Sequence, residues 1–177
     1  GEAVRALVSG DAALALEAKT GVLRAARDVL MYVDDADAMP SDLSSLNLYR
    51  ALLAADIISS LPGSFTPEDR NGLMQSAGTV LDRYLDPALC DWEHDDWAVG
   101  VAATRIVASC ALYADLFGRS GPAERYYQHA VRFLEKNIRD GIDSDGAWVA
   151  GSPGSTQEAI EYLVVAAKIV RGTGGRD

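Results

Sequence analysis

The stretch His94-Asp95-Asp96-Trp97-Ala98-Val99-Gly100-Val101-Ala102-Ala103-Thr104-Arg105-Ile106-Val107-Ala108-Ser109-Cys110-Ala111-Leu112-Tyr113-Ala114-Asp115-Leu116-Phe117 decides the fold. It reads as one helix from about His94 to Phe117, apolar on most sides through Trp97, Val99, Val101, Ala102, Ile106, Val107, Cys110 and Leu112. A helix of that kind belongs at the centre of a helical fold, because a surface helix keeps one polar face. Gly118-Arg119-Ser120-Gly121 ends it, and Pro122 opens the next helix, to about Arg139. Upstream, Thr66-Pro67-Glu68-Asp69 is a strong start signal for a helix to about Leu85, closed by Pro87. Thr66 caps, Pro67 takes the first position and the two acids suit the positive helix end.

Further out, Ser41 is a cap for a helix to about Ser60, with Leu46, Tyr49, Leu53, Ile57 and Leu61 at 3-4 spacing. Glu2–Lys19 and Gly21–Tyr32 read as two earlier helices, and the loop at Met39-Pro40 separates them from the Ser41 helix. Ser155 and Glu158 form a capping-box pattern for a last helix, Thr156–Val170. Strand-like alternation is nearly absent. The expected fold is all-α, about seven helices in antiparallel hairpins. It forms one domain over residues 1–171 with a flexible tail at 172–177.

Sixteen Lys and Arg against 26 Asp and Glu give a net charge of −10. Phosphate neutralisation needs a cationic footprint, so nucleic acid is not an expected partner. No apolar run is long enough for a membrane span, and no basic start followed by an apolar stretch marks a secretory signal. Cys90 and Cys110 lack metal-like spacing, and Cys110 sits in an apolar run where a reduced, buried thiol is the default. With only His94 and His129 in the chain, a site of several His ligands is excluded. No metal and no cofactor are expected.

Chemistry concentrates in three places. Asp91-Trp92-Glu93-His94-Asp95-Asp96-Trp97 puts four acids, one His and two Trp at a helix start. The plain reading is a capped helix with Trp packed into the core. The functional reading makes His94 a proton-transfer group and the Trp rings sugar platforms. Asp143-Ser144-Asp145-Gly146 invites a calcium-loop reading, but the position six residues after the Gly is Ser152 rather than Glu. An Asx turn is expected instead. Tyr162 stands on the last helix beside Glu158 and Glu161, where a tyrosine by itself is an edge-of-core residue.

Three stretches, in order, carry a family resemblance over roughly residues 45–170. The first runs from Leu48-Tyr49-Arg50-Ala51-Leu52-Leu53-Ala54-Ala55-Asp56 through Phe65-Thr66-Pro67-Glu68-Asp69-Arg70. The second is His94-Asp95-Asp96-Trp97 before an Ala-rich helix, and the third is Asp145-Gly146-Ala147-Trp148 before a helix bearing Tyr162. Together they resemble the helical toroid domain of polysaccharide lyases, the alginate lyase and heparinase II/III-like group. The resemblance implies β-elimination at a uronic acid in a polysaccharide or oligosaccharide. It matches His94 and Tyr162 to the catalytic pair and Trp97 to the motif Trp; on that reading Glu93 and Asp96 orient the bound substrate, and Trp97 and Trp148 line the sugar cleft. It also favours an extracytoplasmic setting.

The sequence departs from the family pattern at three points. Glu93 stands where the family has a neutralising Asn. Gln157, Glu158 and Glu161 fill the stretch where an Arg precedes the Tyr, and Ala150 or Gly151 replaces the Glu after Asp-Gly. A complete toroid takes more helices than are read here, so the expectation is a partial or shortened α/α toroid: a fragment of a larger chain, a shortened relative, or one partner in a homo-oligomer or other assembly. The alternatives are a non-catalytic carbohydrate-binding or structural helical domain, or a hydrolase-like toroid using Glu93 and Glu158 as paired carboxylates.

Overall fold

The computed structural model describes residues 2–31, 42–61, 64–93, 100–146 and 153–173. Seven helices account for most of them: α1 (Glu2–Ser9), α2 (Ala12–Met31), α3 (Asp42–Ser59), α4 (Pro67–Tyr84), α5 (Val101–Phe117), α6 (Pro122–Gly141) and α7 (Pro153–Thr173). The all-α expectation holds. Helices α3, α5 and α7 lie side by side, α1 packs on α2 and α3, and α2, α4 and α6 form a second row behind them.

Helix α5 is the centre of this arrangement, touching α3, α4, α6 and α7. Every residue from Ala102 to Ala114 is buried. Small side chains make that possible, since alanines at 103, 108 and 111 let neighbouring helices approach closely from several sides. Its buried Ser and Thr hydroxyls are satisfied within the helix: Thr104 Oγ1 donates to the Val101 carbonyl at 2.7 Å and Ser109 Oγ to that of Arg105 at 2.8 Å. Helix α6 shows the one-sided pattern of an outer helix, burying Ala123, Tyr126, Ala130, Phe133, Leu134 and Asn137.

The start of α4 is as the sequence predicts, and tighter. Thr66 Oγ1 accepts from the Asp69 amide at 3.1 Å, while the Asp69 carboxylate accepts from the Thr66 amide at 3.0 Å. Lys19 of α2 pairs with Asp69 at 2.6 Å, tying the second row together. Those contacts, the hydrogen bond to Lys19 foremost, hold the Asp69 carboxyl below its ordinary range.

Five sequence expectations are corrected. The first break falls at Gly10, not near Gly21: Gly10 adopts a left-handed φ of 65°, and Asp11 Oδ1 then caps α2 by accepting from Ala13 N at 2.8 Å. Gly21 is carried inside α2. Helix α5 begins at Val101 with Gly100 as its cap residue; residues 94–99 lie outside the described residues. Helix α7 begins at Pro153, so Ser155 lies inside it and is not its cap. Residues 172 and 173, read as the start of a tail, are the last two of α7, and 174–177 lie outside the described residues. On α3 the deepest stripe is Ser45, Leu48, Leu52, Ala55 and Ile58 rather than the row through Leu46, Leu53 and Ile57. A helix wedged among α1, α2 and α5 is covered on a wide arc, and a 3-4 spacing fits more than one stripe of it.

Candidate functional site

Tyr162 sits where three helices of the front row meet. Its ring lies edge-on against Tyr49 of α3, with centroids 4.8 Å apart. The Arg105 guanidinium of α5 stands over the same ring, 5.3 Å from its centroid. Arg105 Nη2 also donates to Glu158 Oε2 at 2.9 Å. Glu158 and Tyr162 are one turn apart on α7 and so share a face. Tyr49, Arg105, Glu158 and Tyr162 thus form one cluster across α3, α5 and α7.

Burial within this cluster is uneven. Arg105 keeps 7% of its side chain exposed, whereas Glu158 keeps 54%. Tyr49 and Tyr162 are both buried. Burial, then the neighbouring Tyr162 and Glu161, pushes the Tyr49 phenol above its ordinary pKa, so it remains a protonated donor. Sequence reasoning misses Arg105 because it lies inside an apolar run. The available signal is the charge itself, since an arginine on a helix buried all round must find an anion.

Glu93 belongs to different surroundings. Its carboxylate pairs with Arg132, and its carbonyl accepts from Lys136 Nζ at 2.9 Å, both on α6. The backbone before it is an Asx turn, with Asp91 Oδ1 accepting from Glu93 N at 3.0 Å. The Glu93 charge is therefore compensated. Glu93 and Glu158 each engage a separate arginine, which does not favour them as a hydrolytic pair. His94, Asp96, Trp97 and Trp148 lie outside the described residues.

Trp92, one residue earlier, anchors this segment. It is buried, its Nε1 donates to the Tyr84 carbonyl at 3.0 Å, and its ring packs edge-on against His129 at 4.5 Å. Phe133 closes the group at 5.1 Å from Trp92 and 4.3 Å from His129. The His129 residue is partly exposed, yet its Nε2 is buried with no hydrogen-bond partner. Burial first, then Arg132, lowers its pKa to about 3.

That depression has a sign. The folded protein holds His129 neutral, while the unfolded chain takes up a proton near the ordinary value of about 6.5. Between those values the unfolded state binds more protons, so this contribution is complete above pH 6.5 and is lost as pH falls toward 3. At roughly pH 4.5 the loss is about 2–3 kcal/mol. Urea unfolding of His129→Phe should show a flatter decline between pH 7 and roughly pH 4.5 than the parent chain. Equal slopes in the two proteins would sink the assignment.

A second tyrosine cluster joins α4 to α5, through Tyr113, and to α6, through Tyr126. Tyr113 Oη donates to the Met74 carbonyl at 3.1 Å and Tyr126 Oη to that of Gly78 at 3.0 Å. A Cβ at Gly78 would stand 3.2 Å from Tyr113 Oη, so a side chain there would press the Tyr113 hydroxyl back by a few tenths of an ångström. Asp82 pairs with Arg125 and Tyr126 alongside. These hydroxyls bridge helices and hold the rows together.

The loop at 143 is the expected Asx turn, with Asp143 Oδ1 accepting from Asp145 N at 3.2 Å and Gly146 at φ 84°. Both cysteines are buried and neither is in a disulfide, and burial raises the Cys110 pKa. Among the described residues no three His, Cys, Asp or Glu gather to hold a metal, and no helix is long and apolar enough to cross a membrane. No protein-family model matches the chain, and no curated protein or solved structure matches it.

Proposed function

We propose that this chain is a lyase-like helical domain acting on a uronic-acid-containing polysaccharide, its two helix rows forming part of an α/α toroid. The observation that carries the reading is Arg105 standing over Tyr162. A uronate lyase needs a cation or hydrogen-bond donors facing the sugar carboxylate, so that negative charge developing in the transition state is stabilised. The residues just ahead of Tyr162 offer only Gln157, Glu158 and Glu161. Arg105 supplies the cation from another helix.

In this reading a base removes the proton from the carbon bearing the carboxylate. The electron pair left behind forms the carbon–carbon double bond, and the bond to the glycosidic oxygen on the next carbon breaks. The leaving oxygen takes a proton. Tyr162 and His94 divide the two proton transfers between them. Trp97 and Trp148 act as sugar platforms, and Glu93 and Asp96 orient the substrate.

The Arg105–Glu158 pairing favours a second reading, a carbohydrate-binding or structural module without turnover, because the cation already has an anion bound to it. One panel separates the two. Alginate, polygalacturonate, a heparan-type polymer and a neutral glucan are incubated with the protein, and the absorbance of the conjugated double bond is followed. A rise with an acidic polymer supports the lyase reading. Binding without a rise leaves the module, and neither result leaves a helical scaffold.

A further inference from the structure

We infer that the groove between α2 and α4 binds a small zwitterion of the α-amino acid class, with Arg27 holding its carboxylate, Glu68 its ammonium and an apolar base its side chain. The groove belongs to the second row of helices, whereas the Tyr162 cluster is built on α3, α5 and α7, so the inference stands or falls apart from the lyase reading.

A cavity of about 240 Å³ opens in this groove. It is smaller than the roughly 300–1,000 Å³ of sites for drug-sized ligands, which limits the occupant to a small molecule. Its base is apolar: Ala26 and Leu73 are buried, and Leu23 packs against the core. Arg27 and Glu68 line the same cavity and are exposed. Gly72 lines it too, and a Cβ there would meet no atom within 4 Å. A longer side chain at that position would therefore stand in the cavity.

Charge decides the class of ligand. Asp69, beside Glu68, is already engaged by Lys19 and by the Thr66 amide. Arg27 and Glu68 border one cavity, yet their side chains pair neither with each other nor with any other described residue. Lys19 meets Asp69 at the Glu68 end, and Arg27 stands eight residues further along α2, about 12 Å of helix axis. The two charges thus sit at opposite ends of the cavity. A simple anion would be repelled by Glu68 and a simple cation by Arg27. A molecule that carries a carboxylate and an ammonium on one carbon satisfies both ends, and its side chain falls on the apolar base.

The test is a chemical-shift titration of the full chain with three ligands: leucine, leucinamide, which lacks the carboxylate, and N-acetylleucine, which lacks the ammonium. Leucine should bind saturably at millimolar concentration or below, with shifts at the Gly72 and Ser76 amides. Each blocked form should bind about ten-fold more weakly, the worth of one charged hydrogen bond. Arg27→Gln should weaken leucine by the same factor and leave leucinamide no weaker. Glu68→Gln should weaken leucine and leave N-acetylleucine no weaker. Gly72→Leu, which fills the cavity from a helical position, should abolish binding. No saturable binding of leucine, equal affinity for the three ligands, or variant losses that are the same for every ligand would each overturn the inference. If a variant fails to fold, the three ligands on the parent chain decide the question by themselves.

Discussion

Tyr162→Phe is expected to lower formation of unsaturated product by about 10²–10⁴-fold, the usual contribution of a positioned acid–base group. The substitution removes only the hydroxyl. The ring keeps its edge contact with Tyr49 at 4.8 Å and its place under Arg105 at 5.3 Å, so helix content and melting temperature should stay close to the parent's. A variant that folds normally and retains turnover ends the catalytic assignment of Tyr162. A variant that loses turnover together with its cooperative melt reports only on packing. The fold must therefore be measured beside the rate.

Trp92→Ala carries the largest expected loss of stability, about 3–5 kcal/mol, as for other large aromatic truncations. The side chain is 6% exposed and fills the space among Tyr84, His129 and Phe133. Truncation leaves a cavity there, and the Tyr84 carbonyl loses a donor. For a chain of this length the drop in melting temperature should be about 10 °C or more. Trp92→Phe should recover most of it, losing mainly the Nε1 hydrogen bond, worth about 1 kcal/mol. The same tryptophan fixes the segment that delivers Glu93 to Arg132, so the alanine variant should also loosen that ion pair. A shift of only a degree or two would mean that this segment is not anchored through its tryptophan.

Local chemistry explains which parts of the fold are legible in the sequence. Thr66-Pro67-Glu68-Asp69 and Pro122 announce helix starts because cap, ring and charge act within one turn, with no help from the rest of the chain. The Gly10 break is not legible in that way. Gly10 and Gly21 look alike as residues, and only the backbone shows that one is left-handed and the other helical. Glu158 reads as half of a capping box with Ser155, a local motif, whereas its partner is Arg105, 53 residues away. Tyr49 passes for core and Arg105 for a polar interruption, because nothing in either neighbourhood says that α3, α5 and α7 converge there. Cys110 is legible, since burial in an apolar run needs no distant partner.

The most direct test of the central claim is carbon NMR of the protein labelled at the tyrosine ring carbons, titrated with a galacturonic acid oligomer. The Tyr49 and Tyr162 resonances should move together on binding, while Tyr113 and Tyr126, locked onto the carbonyls of α4, stay in place. Shifts confined to Tyr113 and Tyr126, or saturable binding that leaves Tyr162 unmoved, would contradict it.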